Sequence, residues 1–261
     1  MTLEDLKELE EKCDFDSFQM NEIRLGLKAG LDISIYANQD FDWRQMKEIR
    51  LGMEANLDVS VYANQSFNSL QMKEILKGLK ENLDILVYAK PEFIWEQMNK
   101  IRSGMEAGVD VSIYAKPEFN ADQMNEILEG LRSGLDVQIY AKPEFDWGQM
   151  EEIILGLEAN LDITRYAKPE FSWKQMKEIR LGLLNGIDVN KYADPNLSHQ
   201  KMEETRLELE KSTGSVSNNV TEPTPEQIRW CRHNALPMLQ NLSDEELWNS
   251  MKDTYEKAHQ E

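Results

Sequence analysis

Tryptophan and arginine are the side chains whose type and spacing best suit contact chemistry in this chain, and they fall on one regular grid. Trp43, Trp95, Trp147 and Trp173 each stand two residues after a phenylalanine, and Arg50, Arg102 and Arg180 follow three of them by seven residues. A helix brings i, i+4, i+7 and i+11 onto one stripe. From Trp43 that stripe reads Trp43, Lys47, Arg50, Glu54; from Trp95 it reads Trp95, Asn99, Arg102, Glu106. The same places elsewhere hold Ser17, Asn21, Arg24 and Lys28, or Ala121, Asn125, Leu128 and Arg132. This is the stripe that varies most between copies, and Trp and Arg dominate binding hot spots. Trp43, Arg50, Trp95, Arg102, Trp147, Trp173 and Arg180 are therefore the candidate contacts for a protein partner. The alternative is that each Trp packs over the start of a neighbouring helix.

Other chemistry finds less support. Asp32, Asp58, Asp84, Asp110, Asp136, Asp162 and Asp188 form a regular acidic series. It could ladder cations, but helix capping explains it without a ligand. His199, His233 and His259 are too scattered for a metal or a triad, and Cys13 and Cys231 suggest neither disulfide nor metal site. No phosphate loop, dinucleotide fingerprint, zincin helix or nucleophile elbow occurs. The expectation is a non-enzyme with no cofactor and no metal.

The grid comes from a tandem repeat. Phe15, Phe41, Phe67, Phe93, Phe119, Phe145 and Phe171 fall at every twenty-sixth position, and the Met20 to Met202 and Tyr36 to Tyr192 series keep that step without insertion. Such self-similarity marks a repeat array. Seven units and a truncated eighth span 15–211.

Within a unit, Asp42 is a helix N-cap and Gln45 completes its capping box, with Phe41 and Met46 as a staple. In the fourth copy Ile94 replaces the cap, so that helix start is the weakest. Met46, Ile49 and Met53 make one apolar stripe, predicting a helix of about 13 residues. Gly30, Asn56, Asn82, Gly108, Gly134, Asn160 and Gly186 occupy the position where a left-handed residue ends a helix. A short α or 3₁₀ element follows, capped by Asp58 and closed by Lys-Pro in later copies. The Val-Ser-Val-Tyr alternation also suits a short strand, but the cap and the Ala-Lys-Pro favour a helical turn. Gly26, Gly52, Gly78, Gly104, Gly130, Gly156 and Gly182 lie inside the long helix. Each costs about 1 kcal/mol against Ala, so a neighbouring helix or the Tyr ring must approach the bare backbone there.

The expected fold is all-α: a superhelical α-solenoid of long helix plus short α/3₁₀ helix, with a small C-terminal helical tail. Units spaced by 8–10 Å would give an array of about 70 Å. A capping helix is expected over 1–14, a linker over 212–224 and a helical hairpin over 225–261.

A long helix alternating with a very short one resembles the leucine-rich variant repeat, and a shortened armadillo or HEAT unit. The pattern, fullest at Gln97–Phe119, is similar to tandem 26-residue helical arrays of bacterial mobile elements, conjugative elements and phages. That resemblance brings no settled activity; it implies roles in transfer, partner docking or evasion of host defence.

The net charge of −19 argues against general nucleic-acid binding. No apolar run suits a signal core or a membrane span, so a cytoplasmic setting is expected. The leading expectation is an acidic repeat scaffold that binds a protein through its variable face or superhelical groove. The second is a mobile-element inhibitor whose acidic surface occupies a basic nucleic-acid channel of a host-defence protein. Reading of single-stranded RNA is disfavoured by the charge. Oligomeric state is open.

Overall fold

The computed structural model describes residues 15–213, 227, 231 and 244–258. The expected capping helix over 1–14, most of the linker and much of the C-terminal hairpin lie outside the described residues. Seven long helices of 12 residues each follow one another: α1 Ser17–Lys28, α2 Trp43–Glu54, α3 Ser69–Lys80, α4 Trp95–Glu106, α5 Ala121–Arg132, α6 Trp147–Glu158 and α7 Trp173–Leu184. α8 His199–Thr213 is the truncated copy, and α9 Asp244–Ala258 belongs to the tail. Single 3₁₀ turns lie between most of the long helices, at Ile33–Ile35, Ile85–Val87, Val111–Ile113, Val137–Ile139, Ile163–Arg165 and Val189–Lys191. The second copy has a hydrogen-bonded turn in that place. No strand occurs among the described residues, so Val59-Ser60-Val61-Tyr62 forms a turn and the short-strand alternative fails. The fold is all-α, of the solenoid type.

The chain forms two compact units, Met1–Arg132 and Ser133–Glu261. In the first, α1 packs on α2, α2 on α3, α3 on α4 and α4 on α5. In the second, α6 packs on α7 and α7 on α8. There Leu247 and Met251 of α9 also form a small cluster with Cys231, edged by Trp248.

Each long helix has punctuation at both ends. The Asp42 carboxylate accepts from the Arg44 and Gln45 N–H groups, and Gln45 Oε1 accepts from the Asp42 N–H at 2.8 Å. At the far end, Leu57 N–H donates to Gly52 C=O and Asn56 N–H to Met53 C=O, with Asn56 at φ 54°. That pair is a Schellman closure, which requires a left-handed residue at the position of Asn56. In α4 the expected weak start is present: Ile94 offers no side-chain acceptor, although Gln97 Oε1 still takes the Ile94 N–H.

The interior glycines are explained by the tyrosines. Tyr62 is fully buried and its Oη donates to Glu48 C=O, one helical turn before Gly52. A Cβ on Gly52 would strike that hydroxyl. The same geometry joins Tyr36 to Gly26, Tyr88 to Gly78, Tyr114 to Gly104, Tyr166 to Gly156 and Tyr192 to Gly182. The buried hydroxyl satisfies its donor on a helix carbonyl, which offsets the helix-propensity cost of the glycine. Burial pushes the Tyr36 phenol up to about 12.

Candidate interaction surface

The variable stripe has to be placed against the joints between repeats. Gln side chains make the first contact across a joint. Gln45 Nε2 donates to Phe67 C=O at 2.8 Å, and Gln97 Nε2 to Phe119 C=O at 2.6 Å. Gln19, Gln71, Gln149 and Gln175 repeat this bond to the residue that opens the next unit. One amide therefore closes its own helix start and holds the next repeat. The capping box was readable from its short local spacing; the second bond, which reaches into the next copy, was not.

The arginines make the second contact. Arg50 Nε donates to Glu22 Oε2 at 2.8 Å, Arg102 to Glu74 at 3.1 Å and Arg180 to Glu152 at 2.7 Å. Arg206 repeats the pairing with Glu178 at 2.9 Å. Arg50 also binds Glu54, and Arg102 binds Glu81 and Glu106. Arg50, Arg102 and Arg180 are each less than one-tenth exposed. They are held inside the stack by charge-assisted bonds. The signal in the sequence was a constant 28-residue step from acid to base, shared by Glu22, Glu74, Glu152 and Glu178 and their four arginines. Where Lys100 replaces the acid, the facing position is Leu128, and Lys100 turns to Asn125 at 2.8 Å. Arg50, Arg102, Arg180 and Arg206 each meet an acid across the joint, so an arginine at this position need not report on a ligand.

Electrostatics follow the pairing. Burial opposes ionisation of Glu74, but bonds from Lys77, Asn99 and Arg102 outweigh it and hold its carboxyl below the usual range. Glu48 faces the other case. The same step taken from Glu48 leads to Leu76, which is buried, and burial raises the Glu48 carboxyl despite four nearby lysines.

The tryptophans divide between packing and exposure. Trp43 is half-buried, stacked on Phe18 with ring centroids 5.6 Å apart, and Arg44 lies 4.7 Å over its ring. Trp173 covers Gly148, where a Cβ would stand 3.0 Å from its Cγ. In both cases the first residue of one long helix lies against the second residue of the helix before it, as the packing alternative expected. Much ring area nevertheless faces solvent: Trp147 is 50% exposed, Trp173 40% and Trp95 36%. Phe18 at 61% and Leu70 at 47% extend the apolar edge in the first unit.

These contacts also set the register. The opening residue of one helix meets the second residue of the preceding helix, and Arg50 meets Glu22. Adjacent long helices within a unit therefore run parallel. In α1–α3 the outer face carries the second, fifth, ninth and twelfth residues, such as Arg44, Lys47, Leu51 and Glu54 of α2.

The aspartates cap. Asp32, Asp58, Asp84, Asp110, Asp136 and Asp188 each accept from the N–H two residues on. The serine bonds hold the Asp32 and Asp110 carboxyls low. Asp162 accepts from the Thr164 hydroxyl and from Arg165. Among the described residues no group of three His, Cys, Asp or Glu side chains could hold a metal ion, and no helix is long and apolar enough to cross a membrane.

No family model matches this chain, and no curated protein or solved structure matches it either.

Proposed function

We propose that the protein is a non-catalytic scaffold that binds another protein through the apolar edges at the starts of its long helices, one edge in each compact unit. One observation carries the reading. The Met, Ile, Tyr and Phe residues that recur from copy to copy are buried in the stack, whereas Trp95, Trp147 and Trp173 keep large indole areas in solvent at a variable position. Exposed indoles on a rigid helical face suit hot-spot contacts. The site is narrower than the sequence stripe, because Arg50, Arg102 and Arg180 belong to the joints. Mobile-element origin rests on the repeat's resemblance alone, and gene neighbourhood tests it.

The test is affinity capture from source-cell lysate with the wild type and with Trp95→Ala, Trp147→Ala and Trp173→Ala, separately and together. Circular dichroism checks that helicity is unchanged. A protein captured by the wild type and lost with the triple substitution supports the edges as the site. Identical capture by both sinks it. The second reading, an acidic inhibitor seated in a basic channel, draws on the net charge of −19. It is the weaker one, because the helices α1–α3 present an outer face rich in cations.

A further inference from the structure

The charge on the helix faces departs from that of the chain as a whole. On the outer side of α1–α3 stand Lys28, then Lys47, then Lys73, Lys77 and Lys80. All are exposed except Lys77, which is half-buried. Of the acids nearby, Glu22 and Glu54 are committed to Arg50 and Glu74 to Lys77 and Arg102, which leaves the half-buried Glu48. Among the described residues, Lys28, Lys47, Lys73 and Lys80 make no ion pair. Lys47 lies on α2 and Lys73, Lys77 and Lys80 on α3, which packs against it, and all four act on the Glu48 carboxyl. In a chain of net charge −19, a cluster of ammonium groups of which Lys77 alone has a carboxylate ion pair calls for an anionic counterpart. Apolar side chains interleave with it on the same faces: Phe18 at 61% exposure, Leu70 at 47% and Leu25 at 38%.

We propose that the outer ridge of α1–α3 docks an acidic, amphipathic polypeptide segment, whose apolar side chains sit among Phe18, Leu25 and Leu70 and whose carboxylates meet the lysines. The inference rests on the protein-binding reading and names the chemistry of the partner. Two features favour a polypeptide over a nucleic acid strand. The apolar groups between the lysines include two leucines, which suit side-chain packing better than base stacking. Trp43, the indole nearest the ridge, is already engaged by Phe18 and Arg44, whereas single-strand binders rely on aromatic faces that bases can stack on. Complementary charge would also set the orientation and speed of docking.

The probe is a fluorescein-labelled helical peptide rich in Leu and Glu. About 18 residues, or ~27 Å as a helix, are enough to cross three helices spaced 8–10 Å apart. Its anisotropy is followed with the full chain, beside the same peptide with Lys for Glu and an oligo(dT) strand of similar length. The acidic peptide is expected to bind. Affinity should fall about tenfold or more in the exposed charge-reversal variant Lys47→Glu/Lys73→Glu/Lys80→Glu, and on raising the salt from about 50 mM to about 500 mM. Phe18→Ala should weaken it without changing the salt dependence. No binding of the acidic peptide, equal binding of the basic peptide, full affinity in the charge-reversed variant or tighter binding of oligo(dT) would each overturn the proposal. If that happens while capture still depends on Trp95, Trp147 and Trp173, the ridge is excluded and the scaffold reading stands. Failure of both experiments removes both.

Discussion

Gly104 and Tyr114 stand ten residues apart and act as one device. The Tyr114 hydroxyl donates to Lys100 C=O at 3.1 Å across the bare face of Gly104. Helix propensity alone would favour Gly104→Ala by about 1 kcal/mol. The added methyl would overlap the hydroxyl, and overpacking of this kind typically costs about 1–3 kcal/mol. Gly104→Ala is therefore expected to destabilise, as measured by urea unfolding. Removing the hydroxyl as well, in Gly104→Ala/Tyr114→Phe, leaves the ring carbon Cζ 3.2 Å from the new methyl, and should recover part of the loss. A Gly104→Ala variant more stable than the wild type would show that the tyrosine can move aside. The glycine was readable as a close approach in the sequence, because an unfavourable residue kept in seven copies needs a physical reason. Its partner was left open between a neighbouring helix and the ring, since both lie within reach of the same face.

At the scale of the element, the joint between α3 and α4 depends on Glu74 and Arg102. Removing one member of a buried pair strands the other charge, at a cost of about 3–5 kcal/mol, while replacing both with apolar groups is often near neutral. Arg102→Leu alone should therefore cost more than Glu74→Leu/Arg102→Leu. A double-mutant cycle in thermal or urea unfolding measures the difference, and a double variant less stable than Arg102→Leu would contradict it. The chain already contains a joint without this ion pair, where Leu128 stands opposite Lys100 and the lysine turns to Asn125. Helix starts, Schellman ends and the repeat period were legible because each is a local rule with its own residue types. The joint was not. Its partners lie in successive copies, and a stripe that faces a neighbouring repeat varies as freely as one that faces a ligand. Helical spacing groups Arg50, Arg102 and Arg180 with the tryptophans for that reason: it says which residues share a stripe, not what lies opposite it.

Across the whole molecule, the net charge conceals the cationic ridge, because a sum over residues carries no direction. The joints impose a further order. The opening helix position alternates small and indole through Ser17, Trp43, Ser69, Trp95, Ala121 and Trp147, and the closing position alternates basic and acidic through Lys28, Glu54, Lys80, Glu106, Arg132 and Glu158. The chain thus carries a period of two copies over the simple one until Trp173 and Leu184 break it. Arg50 and Arg102, which grip the preceding repeat, are in phase with this double period. Repeats are consequently keyed to their neighbours and are not interchangeable. Excising 41–92, two units, would bring Arg102 opposite Glu22 and Trp95 opposite Phe18, restoring the contacts now made by Arg50 and Trp43. Excising 41–66, a single unit, would set Glu22 against Leu76 and Phe18 against Ser69. The shorter protein is expected to melt at the higher temperature of the two, a reversal that thermal unfolding of both would detect. An array of this kind can change length by recombination in even steps more readily than in odd ones.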